Sequence, residues 1–272
     1  MAKDIKSKSL EKKYNKLLDM LKSFESAGIA FSGGIDSTFL LFAAKNALGK
    51  KVEAFTVSSI VFPESEKIIA QKITGQLDVK HEIVDIDLTL NDEFLRNDRQ
   101  RCYYCKKSML GVLKTLSDRR GLKFLLEGAN ADDILDYRPG MKAVEELKVK
   151  SPLKEAGFTK AEIINLSKKF NIFDENRGSF SCLATRIAYG ININQEILQK
   201  VKLLEDYLSS IGFTKLRVRH HGDIARIEIE VKDFTKIIKN DLRQEILNKF
   251  YASGYKYVVL DMEGFLSGSM NK

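Results

Sequence analysis

Apolar residues fall at helical spacing across 9–26, where Leu10, Tyr14, Leu17, Leu18, Leu21 and Phe24 share one stripe and predict an amphipathic helix. The next five residues, Ala27-Gly28-Ile29-Ala30-Phe31, are unbroken apolar chain, the mark of a strand buried on both faces. A second apolar run, Thr38 to Ala44, reads as a helix that Gly49 stops, and Val52 to Ser58 reads as the second strand. Pro63 and Glu64 open another helix, His81 to Asp87 is a third strand, residues 105–118 are helical, and Lys123 to Glu127 is a fourth strand. Thr159, with Glu162 three residues on, forms a capping box at the start of a further helix.

Strands alternating with helices predict an α/β fold with a doubly wound parallel sheet and right-handed crossovers. Near Asn176 the pattern changes. Ile197, Val201, Leu204 and Leu208 stripe a helix over 194–210, followed by strands at 216–220 and 224–231 around Gly222-Asp223. A helix over 233–251 and a strand over 255–262 complete a smaller α+β domain. The expected domains are therefore 1–175 and 176–272.

Composition narrows the class. The chain is 44% hydrophobic and 30% charged, as in globular proteins, and no run of about 18 apolar residues predicts a membrane span. The opening residues, Met1-Ala-Lys-Asp-Ile-Lys-Ser-Lys, lack the apolar centre of a secretory signal, so a cytoplasmic location is expected. The net charge of +8 is spread over polar helix faces rather than concentrated with aromatic residues, which argues against a nucleic-acid surface. The three cysteines, an odd number, argue against a disulfide framework.

The candidate chemistry centres on Ser32-Gly33-Gly34-Ile35-Asp36-Ser37, between a strand and a helix. Such a turn aims free backbone N–H groups and the positive end of a helix dipole at a phosphate. Gly33 and Gly34 allow close backbone approach, Ser32 and Ser37 add hydroxyl donors, and Asp36 suits Mg²⁺ on a nucleotide. No Gly-Lys-Ser/Thr follows and no third glycine stands in register, which excludes a Walker A loop and a dinucleotide fingerprint. The segment resembles the SGGxDS loop of the PP-loop ATP pyrophosphatases, which cleave ATP between its α and β phosphates. The carboxyl ends of the sheet strands would also bring up Glu127 to Asp133, including Gly128, while Arg138 in the turn Asp136 to Gly140 is a candidate anion clamp.

Cys102 and Cys105 lie in Arg101-Cys-Tyr-Tyr-Cys-Lys106, and Cys182 in Gly178-Ser-Phe-Ser-Cys-Leu-Ala-Thr-Arg186. All three fall in polar segments, away from the apolar faces where inert cysteines hide. Three thiolates without a fourth suit a [4Fe–4S] cluster with one open iron. Zinc would draw on His220 or His221 as a fourth ligand, and separate roles for the pair and Cys182 stay open as well.

Taken with Glu127 to Asp133, Asp136 to Gly140, Cys182 to Gly190 and Leu216-Arg-Val-Arg-His-His-Gly-Asp-Ile-Ala-Arg-Ile-Glu228, the chain resembles the LarE family over nearly its whole length. These are ATP-dependent sulfur transferases of nickel-pincer nucleotide biosynthesis. The resemblance implies an enzyme using ATP and Mg²⁺ whose substrate is pyridinium-3,5-biscarboxylic acid mononucleotide. It also implies a sulfide donor and a homo-oligomer. One carboxylate is adenylated, and sulfur then displaces AMP. It implies Cys182, Cys102 and Cys105 as the sulfur-handling residues, ligands of a [4Fe–4S] cluster in the three-cysteine variant. In members without the pair, the cysteine matching Cys182 is sacrificed, so Cys182 is either ligand or donor. Ser32, Gly33, Gly34, Asp36, Ser37, Gly128, Arg138, Arg186, Arg217, Arg219 and Glu228 are the expected nucleotide and substrate contacts. Alternation places Arg217 and Arg219 on one strand face, a fork for phosphate or carboxylates, with Glu228 toward ribose or Mg²⁺ and Glu205 as a further acidic position. A tRNA thiolase of the same superfamily also uses three cysteines, whereas an ammonia-using synthetase leaves them unexplained.

Overall fold

The computed structural model describes residues 2–134, 139–172, 182–266 and 269–271. In chain order its elements are α1 (Ala2–Ser23), β1 (Ala27–Ala30), α2 (Ile35–Leu48), β2 (Val52–Ser58), α3 (Glu64–Gln76), β3 (Lys80–Asp85), α4 (Asp92–Leu95), α5 (Arg101–Arg119) and β4 (Phe124–Leu126). There follow α6 (Gly140–Glu146), α7 (Pro152–Glu155), α8 (Lys160–Lys169), α9 (Gln195–Ser210), β5 (Leu216–His221), β6 (Ile224–Ile229), α10 (Phe234–Ile237), α11 (Asn240–Ala252) and β7 (Tyr257–Leu260). Among the described residues no helix is long and apolar enough to cross a membrane.

Two units emerge. The first holds residues 1–59, 63–88 and 102–180, and is built on a parallel sheet in the order β3-β2-β1-β4. Its core joins β1 to the buried faces of α1 and α2, with Leu17, Leu21, Ile29, Phe39, Leu40 and Leu41 cut off from water. The chain leaves β1 toward β2 and β3 and returns to lay β4 on the other side of β1. That reversal makes a crevice at the carboxyl ends of β1 and β4, the place where open α/β sheets bind ligands.

The second unit comprises residues 60–62, 89–101 and 181–272. Its sheet, in the order β5-β6-β7, pairs β5 with β6 antiparallel and β6 with β7 parallel. The stripe of α9 supplies Val201, Leu204 and Leu208 to a core completed by Phe213, Val218, Ile227, Ile229 and Phe250. The boundary expected at 175/176 lies outside the described residues.

Several expectations are corrected. The first helix ends at Ser23 rather than 26, closed by backbone bonds from Phe24 and Glu25 to Leu21 and Lys22. The helix expected from 105 begins at Arg101, because Asp98 accepts from the Gln100 amide (2.7 Å) and starts the turn four residues earlier. Cys102 and Cys105 are therefore on a helix, one turn apart, and not in a polar loop. The single helix expected over 233–251 is split at Lys239, whose extended backbone separates α10 from α11. The strands of residues 224–231 and 255–262 are trimmed to β6 and β7.

Candidate functional site

In the first unit three segments meet at the carboxyl ends of β1 and β4: the glycine loop 32–37, residues 127–133 after β4, and the start of α8. Gly33 has φ +72°, a conformation side chains disfavour, which lets the loop turn back toward α2. Ser37 Oγ donates to the Gly34 carbonyl (3.0 Å) and lies 3.2 Å from Ser32 Oγ, so both predicted hydroxyls line the turn. The first amides of α2 open onto this loop, since Gly34 is its N-cap and no side chain caps it. Gly128 is held against the loop: a Cβ there would stand 3.0 Å from Ser37 N and 3.1 Å from Ser37 Cα.

Asp36 is arranged asymmetrically. Its Oδ2 accepts from Lys160 Nζ at 2.6 Å, while Oδ1 is buried with no partner among the described residues. An orphaned carboxylate oxygen beside open helix-start amides is a donor set that fits Mg²⁺ and nucleotide phosphates. Lys160 was not among the residues expected from sequence. Its only sequence signal was its place inside the capping box, which is present as expected, with the Thr159 hydroxyl accepting from Glu162 N and Glu162 accepting from Thr159 N.

Glu127 is buried and takes three donors: Lys106 Nζ at 2.9 Å, the Ala129 amide at 3.2 Å and the Ser151 hydroxyl. Lys106 follows Cys105, and so links the cysteine helix to the crevice edge; it was not among the residues expected from sequence. Cys102 is exposed and Cys105 is buried beside Met109, 4.0 Å from its sulfur, which corrects the expectation that no cysteine sits on a packed helix face. Arg138 lies outside the described residues.

In the second unit Cys182 caps the short 3-10 turn 183–186 and is partly exposed. Arg186 Nη1 donates to the Cys182 carbonyl (3.2 Å), and Nε and Nη2 grip both oxygens of Glu205 at 2.9 and 3.1 Å. Glu205 also accepts from Val218 N at 2.9 Å, so the pair ties the cysteine turn to α9 and β5. Arg101, the residue before Cys102, donates to the Ala184 carbonyl (2.9 Å) and to Asn97, and Asn97 in turn reaches the carbonyls of Ala188 and Ile191 at 2.9 and 2.8 Å.

The expected Arg217 and Arg219 fork is divided. Arg219 is sealed in a two-pronged pair with Glu228 and also donates to the carbonyl of Thr185 and the hydroxyl of Ser269. Glu228, fully buried, also receives Arg226 (3.0 Å) and Ser269 (2.7 Å), which corrects its expected role as an open ligand for ribose or Mg²⁺. Cross-strand register sets Glu228 opposite Arg217 and Arg226 opposite Arg219, so these charges share one sheet face and satisfy one another. Arg217 differs. Burial, with Arg186 and Arg219 adding repulsion against the pull of Glu205 and Glu228, holds its guanidinium down at about 10. A guanidinium that burial has stripped of water is stabilised by an arriving anion.

The cysteines fit a cluster in kind, as Cys102 and Cys105 are spaced to offer two thiols from one helix. Among the described residues, however, no group of three or more histidine, cysteine and carboxylate side chains is gathered to hold a metal. His220 is engaged with the Tyr255 hydroxyl at 2.9 Å.

Residues 18–165 match the asparagine synthase family. Over 259 residues the chain is 33% identical to the pyridinium-3,5-bisthiocarboxylic acid mononucleotide synthase of Lactiplantibacillus plantarum, covering 94% of this chain and 92% of that protein. It is 34% identical to an uncharacterized protein of Synechocystis sp., over 97% of this chain and 98% of that one. It is also 30% identical to an uncharacterized protein of Methanocaldococcus jannaschii, over 96% and 98%.

Proposed function

The chain belongs to the LarE family of PP-loop proteins, and from that premise we propose that it is an ATP-dependent sulfur transferase acting on pyridinium-3,5-biscarboxylic acid mononucleotide. The observation that carries this reading is near full-length similarity to a relative named for making the bisthiocarboxylic product. The asymmetric Asp36 in an open glycine loop supports it independently.

The first step is adenylation. A substrate carboxylate oxygen attacks the α-phosphorus of ATP, the bond to the bridging oxygen breaks, and pyrophosphate leaves with the electron pair. Loop amides face the charge that develops on the leaving group, and Asp36 would hold a Mg²⁺ that supplies further positive charge there. Arg217, its guanidinium desolvated by burial, is the residue we assign to the substrate anion. Arg186 and Arg219 are assigned a different task from the sequence reading: they hold the Cys182 turn and the sheet that carries Arg217.

The second step is sulfur transfer. Adenylation converts a poor leaving oxygen into AMP, so a thiolate suffices as nucleophile. The three cysteines are the sulfur-handling residues of this proposal, and two routes remain distinct. In one, Cys102, Cys105 and Cys182 would be the thiolates to hold a [4Fe–4S] cluster, which would supply sulfide taken from an external donor. In the other, the Cys182 sulfur attacks the acyl carbon and AMP departs. Loss of the Cys182 α-proton to a base then expels the thiocarboxylate and leaves dehydroalanine. Residues 1–175 are assigned the nucleotide chemistry and 176–272 the substrate and sulfur chemistry, in a homo-oligomer whose subunit number light scattering would give.

Anaerobic purification with iron and sulfide analysis, beside intact mass before and after turnover, tests the routes. Iron lost on Cys102→Ser or Cys105→Ser with an unchanged mass after turnover supports the cluster. A chain lighter by the elements of hydrogen sulfide supports sacrifice of Cys182.

A further inference from the structure

We propose that Lys160 is an exchangeable counter-ion of the glycine loop. It neutralises Asp36 while the loop is empty, and passes to the pyrophosphate portion of ATP once a divalent cation occupies that carboxylate. The inference rests on reading the loop as an ATP site, and adds a residue and a sequence of charge movements to it.

The geometry has three parts. First, the ammonium sits 2.6 Å from Asp36 Oδ2, the oxygen that faces it, while Oδ1 is buried and unmatched among the described residues. A buried carboxylate oxygen without a donor is costly, and a second positive charge on that oxygen would relieve the cost. Second, the backbone of Lys160 is fixed while its head is not. Its amide donates to Asp132 Oδ2 at 2.7 Å and the capping box at Thr159 sets the helix start, yet its side chain is 44% exposed. A four-carbon stem on an anchored Cα can redirect its head by rotamer changes alone. Third, Asp36 stands in the first turn of α2, whose N-cap Gly34 has no side-chain cap, so the ammonium bonded to that carboxylate sits at the same helix start that would take a phosphate.

Electrostatics supplies the direction. Two positive charges cannot share Asp36 cheaply, because like charges a few ångström apart repel strongly under the screening typical of a protein surface. A cation arriving at Oδ1 and Oδ2 displaces the ammonium, and the anion that arrives with it is the nearest new partner. As the bond between the α and β phosphates breaks, negative charge grows on the leaving pyrophosphate. The lysine then stabilises that charge more than it stabilised bound ATP.

The ion pair gives opposite signs for two binding constants, which a merely structural role would not. Mn²⁺ binding without nucleotide, followed by electron paramagnetic resonance, is compared with inorganic pyrophosphate binding in Mg²⁺ by calorimetry. The proteins are wild type, Lys160→Gln and Lys160→Arg, with urea midpoints to confirm folding. The glutamine variant is expected to bind Mn²⁺ about fivefold tighter and pyrophosphate about tenfold weaker, a loss of about 1.4 kcal/mol. The arginine variant should stay within about threefold of wild type for pyrophosphate, as its charge is kept. Both affinities falling together, or neither changing while wild type binds normally, overturns the inference alone. Wild type binding neither pyrophosphate nor ATP overturns the ATP reading of the loop and this inference with it.

Discussion

Arg219 and Glu228 lock neighbouring strands together, Nε to Oε1 at 3.0 Å and Nη2 to Oε2 at 2.8 Å, with both side chains shut away from water. Glu228 is also the partner of Arg226, so one carboxylate balances two guanidinium groups. Removing it strands the buried Arg219, while Arg226 keeps Asp261 at 3.4 Å. Glu228→Ala is expected to cost about 3–5 kcal/mol in urea unfolding, the range for leaving a buried charge unpaired. A loss below about 1 kcal/mol, the range of exposed pairs, would contradict the structural role given to the pair.

Gly128 predicts a different kind of damage. A methyl group there meets backbone atoms of Ser37 at 3.0 and 3.1 Å, and backbone cannot swing aside as a long side chain can. Gly128→Ala should displace the glycine loop, with an overpacking cost of about 1–3 kcal/mol that falls on nucleotide binding. ATP affinity measured by calorimetry is expected to drop at least about tenfold, equivalent to about 1.4 kcal/mol. Unchanged affinity would show that the loop tolerates the shift.

Glu66, in the first turn of α3, gives a pH dependence. Burial raises its carboxyl from 4.5 to about 7. The folded protein then binds that proton more tightly than the unfolded chain. The stability this contributes is fully present below pH 4.5, declines as pH rises through 7, and is gone above it. Glu66→Gln should abolish this slope and be the more stable protein at about pH 8 by roughly 2 kcal/mol, after allowance for solvent screening. Urea unfolding of both proteins at about pH 4 and pH 8 checks the sign. A wild-type protein that gains stability across that interval relative to the variant would contradict it.

Cys182 separates the two chemical steps. Cys182→Ser should abolish thiocarboxylate formation but still release pyrophosphate when ATP and the pyridinium dicarboxylate mononucleotide are both present, since no cysteine takes part in adenylation. A coupled pyrophosphate assay with product mass spectrometry reads both steps. Loss of pyrophosphate release in a folded variant would place Cys182 in the first step instead.

Local chemistry was the legible part of the chain. Strand β2 matches its expected bounds because an apolar run flanked by Gly49 and Pro63 leaves little choice, and the Thr159 capping box needs only four residues. The glycine loop was equally plain, being one contiguous motif. What escaped was non-local. Lys160 reaches Asp36 across 124 residues, and Glu228 meets Arg219 through a strand register that spacing alone does not reveal. Alternation correctly put Arg217 and Arg219 on one face, but not the carboxylates facing them. The second unit likewise draws in residues 60–62 and 89–101, through contacts such as Leu183 N to Val61 O and the Asn97 bonds, that no composition shift marks.

The most direct test supplies purified protein with ATP, Mg²⁺, the pyridinium dicarboxylate mononucleotide and sulfide under anaerobic conditions, and follows nucleotide and product together. The expected result is AMP and pyrophosphate formed only with the mononucleotide present, in step with a product in which one carboxylate oxygen is replaced by sulfur. ATP cleaved to ADP, or AMP formed without any sulfur in the product, would contradict the account.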